Sequence, residues 1–81
     1  MAMANIHTLI DTPLEALGAR LREERMRLGF EVADFALLMG EEEAAVVLME
    51  MGLRPITTSY LELLECRTEV SISYVLTGRR Q

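Results

Sequence analysis

Glycine at positions 29, 40 and 52 cuts the centre of this chain into two short apolar pieces, "FEVADFALLM" and "EEEAAVVLMEM". Pieces of that length hold about three helical turns at most, so the centre cannot be one long helix. They are far below the ~20 apolar residues that cross a bilayer. The second piece opens on three carboxylates, which is too acidic for plain core, so part of it belongs on a surface. A chain so punctuated folds by packing short helices on one another.

The other boundaries read the same way. "TPLE" starts a helix: Thr12 caps, Pro13 fits the first helical position, and Glu15 reaches back to the Thr12 amide as a capping box. Leu14, Leu17, Leu21 and Leu28 then recur on one face, Glu23 and Arg27 stand four apart in the favourable order, and Gly29 stops the helix, which gives a first helix over 13–28. A second helix is predicted over 31–39, ended by Gly40, and a third over 42–51, ended by Gly52 with Pro55 shortly after. Glutamates in the first turn of the third favour it, because the exposed amides there carry partial positive charge. Ser59 and Glu62 suggest a capping box for a fourth helix over 59–67. Ile72, Val75 and Leu76 fit a short strand or a last helical turn over 71–76. Flanking Ser71 and Gly78 favour the helix. The expected architecture is all-α, five short helices in a bundle over 12–81, behind a flexible arm at 1–11.

Composition sets limits on function. With 51% hydrophobic residues a core forms without metal or disulfide staples, and the single cysteine, Cys66, fits a reducing cytoplasm. "MAMANIHTLID" lacks the basic start and continuous apolar stretch of a secretory signal. The net charge of −5 opposes generic attraction to nucleic acid or anionic membrane. All eight basic residues are arginines, and Arg20, Arg22, Arg25 and Arg27 fall close together in the first helix. They read as a solvated face. The alternative is a phosphate-facing stripe of Arg20 and Arg22 extended by Arg79 and Arg80, although Glu23 and Glu24 dilute it.

Catalysis finds no foothold. One histidine (His7, read as a surface residue of the arm) and one cysteine supply neither a nucleophile-base pair nor a metal cluster. Glu41 to Glu43 lack calcium-loop spacing, and no glycine loop cradles phosphate. Cys66 reads as a small buried hydrophobe, and the six methionines mainly as core filling. The expectation is a protein that is not an enzyme and uses no cofactor.

Within "FALLMGEEEAAV", Ala36, Gly40 and Val46 have the spacing of a helix-turn-helix: a small residue at the helix contact, a glycine at the turn, a β-branched residue fixing the angle. From Leu17 to Arg80 the chain resembles the Cro/CI-type (XRE) helix-turn-helix family of bacterial and phage regulators, lambda-repressor-like in fold. The resemblance lies in "LGARLREERMRLGF", "ADFALLMG", "MEMGLRP" and "YVLTGRR". It implies that the third helix is the recognition helix and that transcription regulation is the family role.

The departures fall on the surface that reads DNA in that family. Its usual Ser/Thr-Gln at the start of the second helix is Glu31 and Val32 here, and the apolar residue after the turn glycine is Glu41. The positions that reach base edges are Glu42, Glu43 and Ala44, with Val47 and Leu48 following. On a helical wheel Ala45, Val46 and Met49 face the core, while Glu43, Ala44, Val47 and Met51 face outward with Leu48 beside them. Base readout needs donors and paired donor-acceptors, and this face has none. The reading is therefore a regulator-like protein whose partner-binding residues are Glu42, Glu43, Ala44, Val47, Leu48 and Met51. Its partner is a protein or a second copy, with Arg54 or the first-helix arginines of that copy answering the acidic rim. Three rivals stand beside it: cover of the face within one monomer, a DNA-binding repressor using the arginines, and acidic imitation of DNA against a basic protein.

Overall fold

The computed structural model describes residues 13–80, which form five helices and no strand. They are α1 (Leu14–Arg27), α2 (Val32–Met39), α3 (Glu43–Glu50), α4 (Thr58–Arg67) and α5 (Ile72–Thr77). The all-α reading is therefore met, and the choice of helix over strand for the last element is settled by α5. The predicted arm at 1–11, Thr12 with its capping box, and His7 lie outside the described residues.

Three helix ends share one hydrogen-bond pattern. The amides of Phe30, Glu41 and Leu53 return to the carbonyls of Arg25, Ala36 and Leu48, while those of Gly29, Gly40 and Gly52 bond Met26, Leu37 and Met49. This paired closure consumes carbonyls that a helix end otherwise leaves bare. Gly52 is the position where the residue type matters most. Its φ of +77° suits glycine, and an added Cβ would lie 2.6 Å from the Glu15 Cα at the start of α1.

The core is Leu21, Phe35, Ala36, Met39, Val46, Met49, Tyr60, Leu64, Val70 and Val75, with Phe30 set edge-on to Phe35 at a ring separation of 5.5 Å. Helix α1 packs on α3 and α5, α2 packs on α3 and α4, and α4 packs on α5. Burial of Tyr60 and Leu64, one turn apart, sets the inward face of α4. Cys66 lies roughly 200° around the helix from Leu64, and it is exposed, which corrects the expectation of a buried thiol. The α4 start is corrected as well. Thr57, not Ser59, is the cap, its hydroxyl accepting from the Tyr60 amide at 3.1 Å. Ser71 does the same for α5, accepting from the Tyr74 amide at 3.2 Å.

Charge pairing inside the fold departs from the expected solvated arginine face. Arg25 is buried and bidentate on Glu50, with Nε–Oε2 of 2.7 Å and Nη2–Oε1 of 3.1 Å. Arg27 pairs with Glu24 and not with Glu23, at 2.8 Å. Glu24 is completely buried, and it also accepts from the Ser71 amide and from Arg80. Glu23 instead accepts from the Tyr74 hydroxyl, an interaction that raises the Tyr74 pKa.

The Tyr60 hydroxyl is buried with no hydrogen-bond partner among the described residues. Burial pushes its pKa up, and the charges of Glu41 and Glu50 push the same way. An unpaired buried hydroxyl costs about 1–3 kcal/mol. Tyr60→Phe is therefore expected to leave stability unchanged or raise it by about 1 kcal/mol in a urea titration. A loss above about 1 kcal/mol would mean that the hydroxyl has a partner in solution.

Candidate interaction surface

Helix α3 is fixed on its inner side by two unrelated devices. Gly18 of α1 lets the helices meet at backbone distance: a Cβ there would collide with the Met49 carbonyl oxygen and lie 2.7 Å from that of Glu50. The Arg25–Glu50 pair then pins the last turn of α3 to α1. The Glu50 carboxylate raises the Arg25 pKa, and Arg25 also donates through Nη1 to the Phe30 carbonyl at 2.7 Å, so the guanidinium is held from two sides. With Ala45, Val46, Met49 and Glu50 buried, the rotation of α3 is set.

What remains outward is Glu42, Glu43, Ala44, Val47, Leu48 and Met51, all exposed, and the helical wheel predicts this for the last five. Val47 and Leu48 are each 39% exposed and Met51 57%. Leu53, 65% exposed, follows just past the helix end, its amide bonded to the Leu48 carbonyl. An apolar stripe thus runs along the helix from an acidic start, because Glu42 caps α3 with extended backbone and no side-chain hydrogen bond. Glu41 is half-buried, and Glu42 and Glu43 point their charge at solvent.

Sequence reasoning missed two further apolar residues, Leu37 at 82% and Leu38 at 36% exposure, on α2. The signal was present: "FALLM" is apolar around the whole helix, and a helix of eight residues buries only Phe35, Ala36 and Met39.

The four arginines of the alternative stripe are not brought together as free cations. Arg20 donates through Nη1 to the Val75 carbonyl at 3.1 Å, and its guanidinium lies against Gly78. Arg80 pairs with Glu24 at 2.8 Å and covers the Tyr74 ring at 3.8 Å. Arg22 and Arg79 are exposed and form no ion pair with a described residue. The Arg27 guanidinium beside Glu24, helped by the Ser71 amide and Arg80, holds that carboxyl well below its usual range, at about 2.

A crevice of about 110 Å³ between α1, α4 and α5, lined by Leu17, Ile56, Leu61 and Val75 among others, is small beside the ~300 Å³ of ordinary ligand pockets, and a wider, open groove of about 370 Å³ lies where α1 turns into α2, lined by Arg22, Arg25, Phe30 and Glu31 among others. No group of three or more His, Cys, Asp or Glu side chains able to hold a metal occurs among the described residues, and none of their helices is long and apolar enough to cross a membrane. No protein-family model, curated protein or solved structure matches the chain.

Proposed function

We propose that this chain is a helix-turn-helix, regulator-like protein of the Cro/CI type whose recognition helix, α3, contacts protein in place of base pairs. One observation carries the reading: the outward surface of α3 offers carboxylates and aliphatic groups where a reader of DNA needs hydrogen-bond donors. The order of a second helix, a three-residue turn from Gly40 to Glu42, and a third helix is what the resemblance implies. An apolar stripe rimmed by like charge is the common form of a protein contact, and the rim selects a basic partner surface.

Burying Val47, Leu48 and Met51 against a partner contributes up to about 1.5–3 kcal/mol each, less the part each already buries in the monomer. The DNA-reading alternative draws little support from geometry, since Arg20 and Arg80 are spent within the chain. As a regulator the protein acts in the cytoplasm of a bacterium, or of a phage-infected one, by occupying another protein.

Val47→Arg tests this. The exposed position tolerates arginine, so the helical circular-dichroism signal is expected to stay at the wild-type level. Light scattering and affinity purification from native lysate, with and without nuclease, should show lost assembly and lost partner capture. An unchanged mass together with an unchanged set of captured proteins would sink the proposal.

A further inference from the structure

The outward stripe of α3 is self-complementary when read from its two ends. Ala44, Val47, Leu48 and Met51 follow the i, i+3, i+4, i+7 spacing of one helical face. At one end stands a small side chain with acids before it. At the other stands a long flexible one, with Arg54 beyond it. We infer that two copies of this chain pair α3 against α3, antiparallel, about a two-fold axis passing between Val47 and Leu48. This rests on the protein-contact reading above and names the partner as a second copy.

In a two-fold contact residue i meets residue j and j meets i. Centred between Val47 and Leu48, that rule sets Ala44 of each copy against Met51 of the other. Alanine leaves the space that methionine, unbranched and adaptable, fills. Continued past the helix ends, the same register sets Glu41 opposite Arg54 of the second copy, with Glu42 and Glu43 alongside.

Charge favours the antiparallel arrangement over the parallel one. The start of α3 carries three carboxylates and no base, and Glu42 and Glu43 are exposed without an ion pair to any described residue. Arg54 is likewise exposed without one. A parallel pairing would set carboxylates on carboxylates, whereas the antiparallel one sets them on a guanidinium and also opposes the two helix dipoles. Leu53, 65% exposed just past the end of the helix, adds apolar surface at each end of the strip. An eight-residue helix is only ~12 Å long, and stable interfaces bury about 1,200–2,000 Å², so the dimer is reversible and depends on concentration.

Sedimentation of the full chain over a dilution series, with Glu42→Arg, Arg54→Glu and the double variant, decides the matter. Wild type is expected to dimerise, each single reversal to weaken the dimer by about tenfold, and the double swap to restore it to within about threefold. Circular dichroism checks that each variant stays helical, and the double variant guards against a loss caused by misfolding. A wild type that stays monomeric throughout, or a double variant no better than the singles, overturns the pairing. If the chain is monomeric while Val47→Arg still abolishes capture of another protein, the pairing fails and the protein-contact reading stands. If Val47→Arg changes neither mass nor capture, both fail.

Discussion

Glu50→Ala is expected to be strongly destabilising. The carboxylate sits at 5% side-chain exposure against a guanidinium at 9%. Removing it leaves Arg25 charged and buried, with only the Phe30 carbonyl to answer it. Breaking one side of such a pair costs about 3–5 kcal/mol. A domain of this size has a total stability of roughly 4–12 kcal/mol, so the loss is about a quarter of it or more. The expected fall in Tm is on the order of 15–25 °C. The paired replacement Arg25→Met with Glu50→Leu should recover most of the loss, because it leaves no uncompensated charge. Thermal unfolding followed by circular dichroism checks both. A Tm within about 4 °C of wild type for Glu50→Ala would mean that the pair is not buried in solution.

The second large effect is acid lability centred on Glu24. Its carboxyl has a folded-state pKa of about 2 against 4.5 when unperturbed. A depressed carboxylate pKa contributes stability that is fully present above the unfolded value and is lost as pH falls through the folded one. The window is therefore about pH 4.5 down to 2. The shift corresponds to at most about 3 kcal/mol, and nearer 2 once solvent screening is allowed for, since the side chains of Arg27 and Arg80 are 46% and 45% exposed. Glu24→Gln should lower stability at neutral pH and flatten its dependence on pH across that window. Equilibrium unfolding at a series of pH values reads both. Equal slopes for wild type and Glu24→Gln would remove Glu24 from the account.

The residues that tie α1 to the rest of the chain are those a linear reading could not reach. Glycine stops, apolar spacing and first-turn glutamates are local signals, and they placed the ends of α1, α2 and α3 within one residue and divided α3 into its two faces. Arg25 and Glu50 are 25 positions apart, and nothing near either one announces the other. The choice of Glu24 over Glu23 as the partner of Arg27 turns on Ser71 and Arg80 arriving from the far end of the chain. Those contacts reward a buried carboxylate that spacing alone would have left in water.

Two smaller misses have local causes. Thr57 and Ser59 are equally good caps in isolation, and the helix begins at Thr58, which leaves Thr57 at the capping position. Exposure of Cys66 was legible in retrospect, given the buried pair Tyr60 and Leu64 on the opposite face. The chemistry of the α3 surface was wholly legible, because exposure there depends only on which side packs inward. That the same helix is clamped by Gly18 and Glu50 required the fold.

Methyl and amide NMR of α3 tests most directly whether this surface meets protein or nucleic acid. Signals of Val47, Leu48 and Met51 should shift as a second protein chain binds, whether a copy of itself or a captured partner, and stay in place when duplex DNA is added at low salt. Shifts at Glu43 and Val47 on adding DNA, with none on adding protein, would contradict the account.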